Sequence, residues 1–373
     1  MCKGKNFFYG LLSGVLLSGA MAIVPLKSVF AVEMVGTVAK NPTEIPPPIT
    51  RSCPTKVTVD LVIKEVMAEL APGKQFWFWG FAEKKDDVVG PCTVPGPMIR
   101  VMEGDTVVIN LTNDSNNVEP HNIDLHAVIG PGGGAAVTNI EPGETKTLQF
   151  KAMRTGAYIY HCAGEGMPWE HVAYGMYGLI MVEPRGGLKK AYRELTNHKG
   201  TVEKEFKEFY IGQGEWYIKP GVEHHPDIEG YSLDEDKAMS EHPDYFTFNG
   251  HTKALNDPSI FGNTMMVNQG DMVRIFFVNG GPNIGSNFHI IGQIFDKFYP
   301  GHYRSAIRNE ETAYIPPGSA AVFEFEALVP GQYLLVDHAL FRVVKGASGF
   351  LHVNKAKKWP HHIYSPEATG TGH

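Results

Sequence analysis

The feature that most constrains this chain is a pattern of short β-strand signals that occurs twice. In the first half, MIRVMEGDTVVINLTND is followed by PHNIDLHAV, then by IEPGETKTLQFKAMRTGAYIYHCA and YGMYGLIMVEP. The second half has MMVNQGDMVRIFFVNGG, NFHIIGQIF, IPPGSAAVFEFEALVPGQYLLVDHA and ASGFLHVNK in the same order. Short apolar runs that are separated by Gly and Pro turns predict antiparallel strands. We therefore expect an all-β chain with two tandem β-sandwich domains that arose by internal duplication.

The chain length and its two ends suggest where these domains lie. Residues 1–31 begin with Lys3 and Lys5, continue with FFYGLLSGVLLSGAMAIV and reach a small-residue cleavage pattern, which predicts a signal peptide. A retained anchoring helix is the less favoured alternative, because Gly and Ser interrupt the apolar run. We predict an N-terminal extension over 32–49, the first domain over 50–185, a linker and the second domain over 186–354, and a tail over 355–373. At the start of the second domain, 220–245 is predicted to be a long loop, with one short helix in DEDKAMSEHPDYF.

Charge and export limit the possible partners. The formal net charge of the whole chain is -7, and it becomes more negative when the leader with its three lysines is removed. An acidic surface argues against nucleic acid as a partner and permits docking of a small basic protein. Beyond the leader, no segment has the length and apolarity of a membrane span. We expect a periplasmic or otherwise exported protein.

Three cysteines remain after the leader is removed. Cys53 and Cys92 both lie at ends of predicted strands, and an oxidising compartment permits a disulfide between them. The sequence leaves that bond open, since it does not show whether the geometry fits. Cys162 is then unpaired and needs another explanation.

Cys162 opens the segment CAGEGMPWEHVAYGM, which contains a further set of metal-binding side chains. Copper(II) bound to a thiolate prefers two imidazoles, one sulfur and a long axial thioether. The residues that supply this set are His121, Cys162, His171 and Met176. Alone, each of them is more often a core or surface residue. Together they predict a copper site, with Met167 ranked behind Met176 as the axial ligand.

A second metal site is indicated by histidines that alternate with the first set. His126 lies five residues after His121, and His161 directly precedes Cys162, so each pair is predicted to face opposite sides of a strand. Two outward-facing imidazoles need a third ligand to hold a metal. Aligning the halves places DHA at 337–339 over HCA at 161–163. His338 can therefore complete a three-imidazole site with one open position, and His289 can lie over that position.

With PHNIDLH, YHCAGEGMPWEHVAYGMYG, FNG at 248–250, FHIIGQIFD and LVDHALF, the chain resembles the two-domain copper-containing nitrite reductases over about residues 50–354. The resemblance implies two cupredoxin-type Greek-key β-sandwiches, two copper ions per subunit and a homotrimer. The implied ligands are His121, Cys162, His171 and Met176 for type 1 copper, and His126, His161 and His338 for type 2 copper. Asp124 and His289 are similar to the paired proton-handling residues of that family, and Ile291 is similar to the apolar residue of its nitrite pocket.

The expected reaction is the reduction of nitrite to nitric oxide, with a small c-type cytochrome or a cupredoxin as electron donor. Asp124 and His289 are expected to deliver protons, and the bonded neighbours Cys162 and His161 to join the two metals. The main alternative is a two-domain multicopper oxidase, whose trinuclear cluster needs His-Xaa-His motifs that this chain lacks. A zinc hydrolase centre is a further alternative. A third alternative is that the chain only carries electrons. This alternative is disfavoured because it gives His338 and His289 no role.

Overall fold

The structure is a computed structural model of the chain, and it describes residues 32–164, 167–188, 205–357 and 364. The predicted signal peptide lies outside the described residues, as do 189–204 of the predicted linker and most of the predicted tail. Among the described residues, no helix is both long and apolar enough to cross a membrane.

Cys53 is exposed, Cys92 is buried and both thiols are free, so the disulfide that the sequence left open is not formed.

Two sheets carry the strands of the first half. The strand bounds are β1 (Glu33–Met34), β2 (Lys56–Ala71), β3 (Lys74–Lys85), β4 (Val88–Val89), β5 (Ile99–Met102), β6 (Thr106–Asn113), β7 (Asp124–Leu125), β8 (Thr145–Lys151), β9 (Gly156–His161) and β10 (Tyr177–Glu183). One sheet has the order β3, β2, β6, β8, with β1 on β2 and β4 on β3, and the other has the order β5, β10, β9, β7. Val66, Phe78, Ile109 and Ile159 belong to one buried core that these sheets enclose.

The second half contributes two more sheets. The strand bounds are β11 (Phe206–Trp216), β12 (Ile218–Pro220), β13 (Tyr231–Leu233), β14 (Tyr245–Phe248), β15 (Met266–Asn268), β16 (Met272–Gly281), β17 (Ser286–Ile290), β18 (Lys297–Pro300), β19 (Thr312–Ile315), β20 (Ser319–Glu326), β21 (Gly331–Asp337) and β22 (Ser348–Asn354). The sheets have the orders β14, β11, β16, β20, β18 and β15, β22, β21, β17, β19. Short helices connect the strands of both halves: α1 (Ala135–Thr138), α2 (Pro168–Ala173), α3 (Glu235–Met239), α4 (Pro258–Phe261), α5 (Phe341–Val344) and the 3-10 turn Pro131–Gly134.

Strand pairing shows the internal duplication directly. In the first half β2 runs parallel to β6, and β6 runs antiparallel to β8. In the second half β11, β16 and β20 repeat these directions. The parallel and antiparallel pairs around β10 are likewise repeated around β22. The predicted fold class, all-β with two cupredoxin-type sandwiches, is therefore confirmed.

The segment before β14 differs from its prediction as a long loop beside the second domain. It contains β12, β13 and α3, and Tyr231 of β13 pairs with Phe76 of β3 in the sheet of the first half. The predicted helix is present as α3, where the Asp234 side chain accepts a hydrogen bond from the backbone N–H of Lys237. The sequence contains no indication of this strand pairing, because only the folded chain brings the edge of β3 next to this segment.

A buried network of charged side chains joins the two halves. Arg100 of β5 pairs with Glu183 and, at 2.7 Å, with Glu208 of β11. Arg274 of β16 lies 2.6 Å from Glu208 and 2.7 Å from Glu324. Removal of one partner would leave an uncompensated buried charge, which is strongly destabilising. The halves are thus tied together close to β9 and β10, the strands that carry the candidate site.

Candidate metal centres

The first candidate centre is built on the connection between β9 and β10. Cys162 follows the last residue of β9, and α2 carries His171 within the loop. The backbone N–H of Cys162 donates to the Met176 carbonyl at 3.1 Å, and the N–H of Met176 donates to the His171 carbonyl at 3.1 Å. These bonds close the loop at its base and hold Cys162 next to Met176.

Three ligand atoms meet inside this loop. The Nδ1 atoms of His121 and His171 are 3.0 Å apart. The Cys162 Sγ lies 3.3 Å from Nδ1 of His171 and 3.9 Å from Nδ1 of His121. All three side chains are buried, and so is Met176, whereas Met167 is 42% exposed. The exposure of Met167 agrees with its lower rank as an axial ligand.

Burial determines the protonation of these three groups without a metal. It raises the pKa of the Cys162 thiol to about 12 and lowers the pKa of His121 to about 3. Burial, with a smaller contribution from His121, also lowers the pKa of His171 to about 3. Both imidazoles are therefore neutral and offer lone pairs, and a metal ion has to displace only the thiol proton. Two neutral imidazoles and one sulfur form a donor set that fits copper.

Neighbouring side chains support this cluster from two sides. The backbone N–H of Asn122 donates to Cys162 Sγ at 3.3 Å, and the Asn122 side chain makes two 2.7 Å hydrogen bonds with the backbone of Ala163. The ring of Trp79 packs edge-on against His171 and His121, with ring centroids 4.9 and 5.4 Å apart. The positions of the ligands thus depend on the surrounding core.

Glu65 is a buried contact that the sequence reasoning missed. Its Oε1 lies 3.1 Å from Nε2 of His121, the nitrogen that faces away from Cys162. Burial raises the pKa of the Glu65 carboxyl to about 7, and hydrogen bonds from the backbone of Glu119 and Val118 oppose this shift. The available signal was an acidic residue inside the long apolar strand LVIKEVMAEL, where a buried charge needs a partner.

The second candidate centre lies on the other side of β9. The Nε2 atoms of His126 and His161 are 3.2 Å apart, and an Asp124 oxygen lies within 4.8 Å of both. His161 Nδ1 donates to the carbonyl oxygen of Cys162 at 2.9 Å, so its Nε2 carries the lone pair that points towards His126. Partial desolvation, and then the His161 ring, lower the pKa of His126, while Asp124 opposes that shift. The lowered pKa favours the neutral form of His126, which is the form in which an imidazole binds a metal cation.

The turn at Gly133 packs against the Asp124 side chain and limits its position. Gly133 has a φ of 54°, in the left-handed region that favours glycine. A Cβ atom on Gly133 would lie 1.9 Å from Oδ1 of Asp124. The backbone of Gly133 therefore packs directly against the Asp124 carboxylate, and any side chain at position 133 would displace Asp124.

The remaining predicted site residues lie in the second half. His338 follows β21 and is exposed, and its ring centroid is 5.3 Å from that of His289. His289 donates its Nδ1–H to the Glu311 carbonyl at 2.6 Å. Half-buried Ile291 donates its backbone N–H to Leu334 at 2.8 Å. In the described part of the chain, His338 belongs to neither ligand cluster.

Comparisons with known proteins agree with this architecture. The family model described as multicopper oxidase matches residues 86–187. The copper-containing nitrite reductase of Neisseria meningitidis serogroup A is 40% identical over 325 residues, which cover 87% of this chain and 76% of that protein. The corresponding protein of Cereibacter sphaeroides is 37% identical, with 72% of this chain and 70% of that protein covered.

Solved structures give the same result. The copper nitrite reductase from Nitrosomonas europaea matches with a TM-score of 0.64 at 31% identity, covering 80% of this chain and 94% of that one. A multicopper oxidase structure at 22% identity has a TM-score of 0.61 and covers 85% of this chain and 98% of its own, which shows a shared fold alone. The length and identity of the sequence matches show that this chain belongs to the copper-containing nitrite reductase family.

Proposed function

We propose that the chain reduces nitrite to nitric oxide and water, using one electron and two protons. One observation carries the proposal: Cys162 of the buried cluster (His121, Cys162 and His171) directly follows His161 of the exposed cluster (Asp124, His126 and His161), which is the last residue of β9. When bound, copper supplies one-electron redox chemistry at the buried set and Lewis acidity towards nitrite at the exposed set. The residues that would hold these ions are His121, Cys162, His171 and Met176 for the first, and His126, His161 and His338 for the second.

Proton delivery is assigned to two side chains that lie beside the exposed set. Asp124 lies within 4.8 Å of the His126 and His161 nitrogens, close enough to hydrogen-bond an oxygen of bound nitrite and donate a proton to it. His289 has its Nδ1–H committed to Glu311, so Nε2 is the nitrogen that delivers the second proton. Ile291 is assigned as the apolar residue that shapes the nitrite pocket.

Completion of the exposed set requires a second copy of the chain. His338 is followed by three apolar residues with large exposed fractions, Leu340 at 55%, Phe341 at 89% and Val344 at 86%. The segment after His126 likewise exposes apolar residues, including Ile129 at 71%. Contact between these surfaces on neighbouring subunits would bury both and bring His338 to the histidine pair. We therefore assign the active form to a closed homotrimer with three equivalent sites.

Electron supply and cellular location follow from the same proposal. The loop that carries His171 exposes Met167 at 42% and Trp169 at 55%, which offers an apolar docking surface beside the buried set. A small c-type cytochrome or a cupredoxin is the expected donor. The predicted leader over 1–31 directs the chain to the periplasm or another exported location. The first cupredoxin domain is assigned to 50–185, and the linker and the second cupredoxin domain are assigned to 186–354.

Anaerobic turnover, metal content and a visible spectrum test this function together. The copper-loaded protein is expected to hold two copper ions per subunit, to show a thiolate-to-copper band and to form one nitric oxide per electron supplied. A zinc-loaded sample serves as control and should be colourless and inactive. Oxygen consumption with an organic reductant, in place of nitrite turnover, would instead support the multicopper oxidase alternative.

A further inference from the structure

Glu65 lies at the back of the buried cluster and contacts a predicted copper ligand directly. It belongs to β2, and its carboxylate is almost completely shielded from solvent. We propose that Glu65 is a positioning residue that holds His121 in one tautomer and tunes the reduction potential of copper at the buried set. This inference rests on the proposed function, since it requires copper at that set.

Hydrogen bonds to Glu65 hold the segment of the chain that leads to His121. Its carboxylate accepts hydrogen bonds from the backbone N–H groups of Val118 at 3.1 Å and Glu119 at 2.9 Å. The backbone N–H of Glu65 donates to the side chain of Asn117 at 2.9 Å. His121 pairs with Ile140 in an isolated β-bridge, and the hydrogen bonds to Glu65 hold Val118 and Glu119, which lie just before the ligand.

The contact with His121 determines which nitrogen carries the proton. Nδ1 of His121 faces the other ligand atoms, and Nε2 lies 3.1 Å from a Glu65 oxygen. When Nδ1 binds a metal ion, Nε2 carries the hydrogen and donates it to the Glu65 oxygen. Carboxylate partners of metal-binding histidines fix the ring orientation and increase ligand basicity. A more basic ligand next to a negative charge favours Cu(II) over Cu(I), which lowers the reduction potential.

The decisive experiment separates the hydrogen bond from the charge. Glu65→Gln keeps an oxygen that accepts from His121 and from the backbone, but it removes the negative charge. We expect this variant to retain copper and the visible band, while its redox equilibrium with a reference couple moves about tenfold towards Cu(I), which is about 59 mV for one electron. Glu65→Ala removes the acceptor as well. It should distort the visible band and weaken copper binding by about 10–100-fold.

Glu119→Gln is the matched control. The Glu119 carboxylate lies on the same segment but contacts His224, at 3.0 Å, and makes no contact with His121. Loss of the Glu119 charge should shift the Cu(II)/Cu(I) equilibrium much less than loss of the Glu65 charge. Equal shifts in Glu65→Gln and Glu119→Gln would overturn the proposal, as would an Ala variant with the wild-type spectrum and copper affinity.

The measurements are made without nitrite, so they are independent of turnover. If the wild-type protein binds no copper with a visible band, the proposed function fails before Glu65 is tested. If Glu65→Gln does not fold, pulsed electron paramagnetic resonance of the wild-type Cu(II) protein reports on the remote nitrogen of His121. A remote nitrogen without a hydrogen-bonded exchangeable proton would overturn the proposal.

Discussion

The buried and the exposed ligand clusters lie on opposite sides of one strand, and they differ in completeness. His121, Cys162 and His171 converge within a single chain and are shielded from water. Among the residues that the structure describes, His126 and His161 form a pair with Asp124 beside them, and the predicted third imidazole, His338, is exposed and lies outside this cluster. A core can enforce the geometry of a closed electron-transfer set, whereas a substrate site needs an accessible position. Under the proposed function, the second cluster therefore lies at a surface, where a second subunit would complete it.

The two halves of the chain show how such a division can arise from one fold. β9 and β21 occupy the same place in their sheets, and each is followed by a loop with a short helix. After β9 that loop supplies Cys162, His171 and Met176. After β21 it supplies only His338, and the loop is shorter. One duplicated connection thus carries three of the four predicted ligands of the buried site, while its copy carries a single predicted donor for another site.

Removal of the thiolate is expected to have the largest effect on the buried cluster. Cys162→Ala should abolish the thiolate-to-copper band and electron entry from the donor, because no other sulfur of the loop can replace the thiolate. Copper at the exposed cluster should remain bound, as shown by metal analysis and electron paramagnetic resonance. Cys92→Ala, which removes another buried free thiol, is the control and should keep the band. Survival of the band in Cys162→Ala would exclude the buried cluster as a copper site.

Mixing two inactive variants tests whether the exposed cluster is completed between subunits. His126→Ala and His338→Ala chains should each be inactive alone. After co-assembly at equal amounts, about a quarter of the sites combine an intact first half with an intact second half from the next subunit. Nitrite turnover should therefore return to about a quarter of the wild-type rate.

The control for this experiment mixes His126→Ala with His161→Ala chains. Both lesions lie in the first half, so no arrangement of subunits restores a site. An inactive mixture of His126→Ala and His338→Ala, with co-assembly shown by differently tagged chains, would mean that all three ligands come from one chain.

Loss of the proton donor should have a smaller but still strong effect on the exposed cluster. Asp124→Asn preserves shape and hydrogen bonding but cannot release a proton, so nitrite turnover should fall by about 10²–10⁴-fold. Both metals should remain bound, and the pH profile of the rate should change. Asp87→Asn is the control, because the Asp87 side chain is 95% exposed. A wild-type pH profile in Asp124→Asn would remove this carboxylate from the reaction.

The smallest predicted effect concerns the packing of the buried cluster. A Cβ atom on Gly164 would lie 2.1 Å from Nε2 of His171, so Gly164→Ala must displace the imidazole. We expect a shifted visible band and a loss of about 1–3 kcal/mol of stability, the usual effect of overpacking. Gly36→Ala is the matched control, since nothing lies within 4 Å of its Cβ position. An unchanged spectrum and unfolding midpoint in Gly164→Ala would show that the loop can relax without moving His171.

Predictions from the sequence succeeded where they depended on local pattern and on residue chemistry. The strand pattern predicted the all-β fold and the duplication, and the fold is confirmed. The ligand types around Cys162 predicted a copper site with His121 and His171; the structure brings these side chains together, and their role as copper ligands stays a prediction. The segment 220–245 was predicted less well, because its pairing with β3 depends on a long-range contact. Glu65 was missed for the same reason: a glutamate in a strand gives no indication of the partner that it faces.

The amino-acid sequence by itself determined the order of strands, the chemical types of the ligands and the adjacency of His161 and Cys162, because periodicity and covalent connection are local properties. The grouping of His121 with Cys162 and of His126 with His161 was predicted from the sequence, but only the tertiary structure decided the distances within each group and placed Glu65 next to His121. These contacts join residues far apart in the chain. Their distances depend on how two sheets pack around a core, and a linear pattern does not contain that packing.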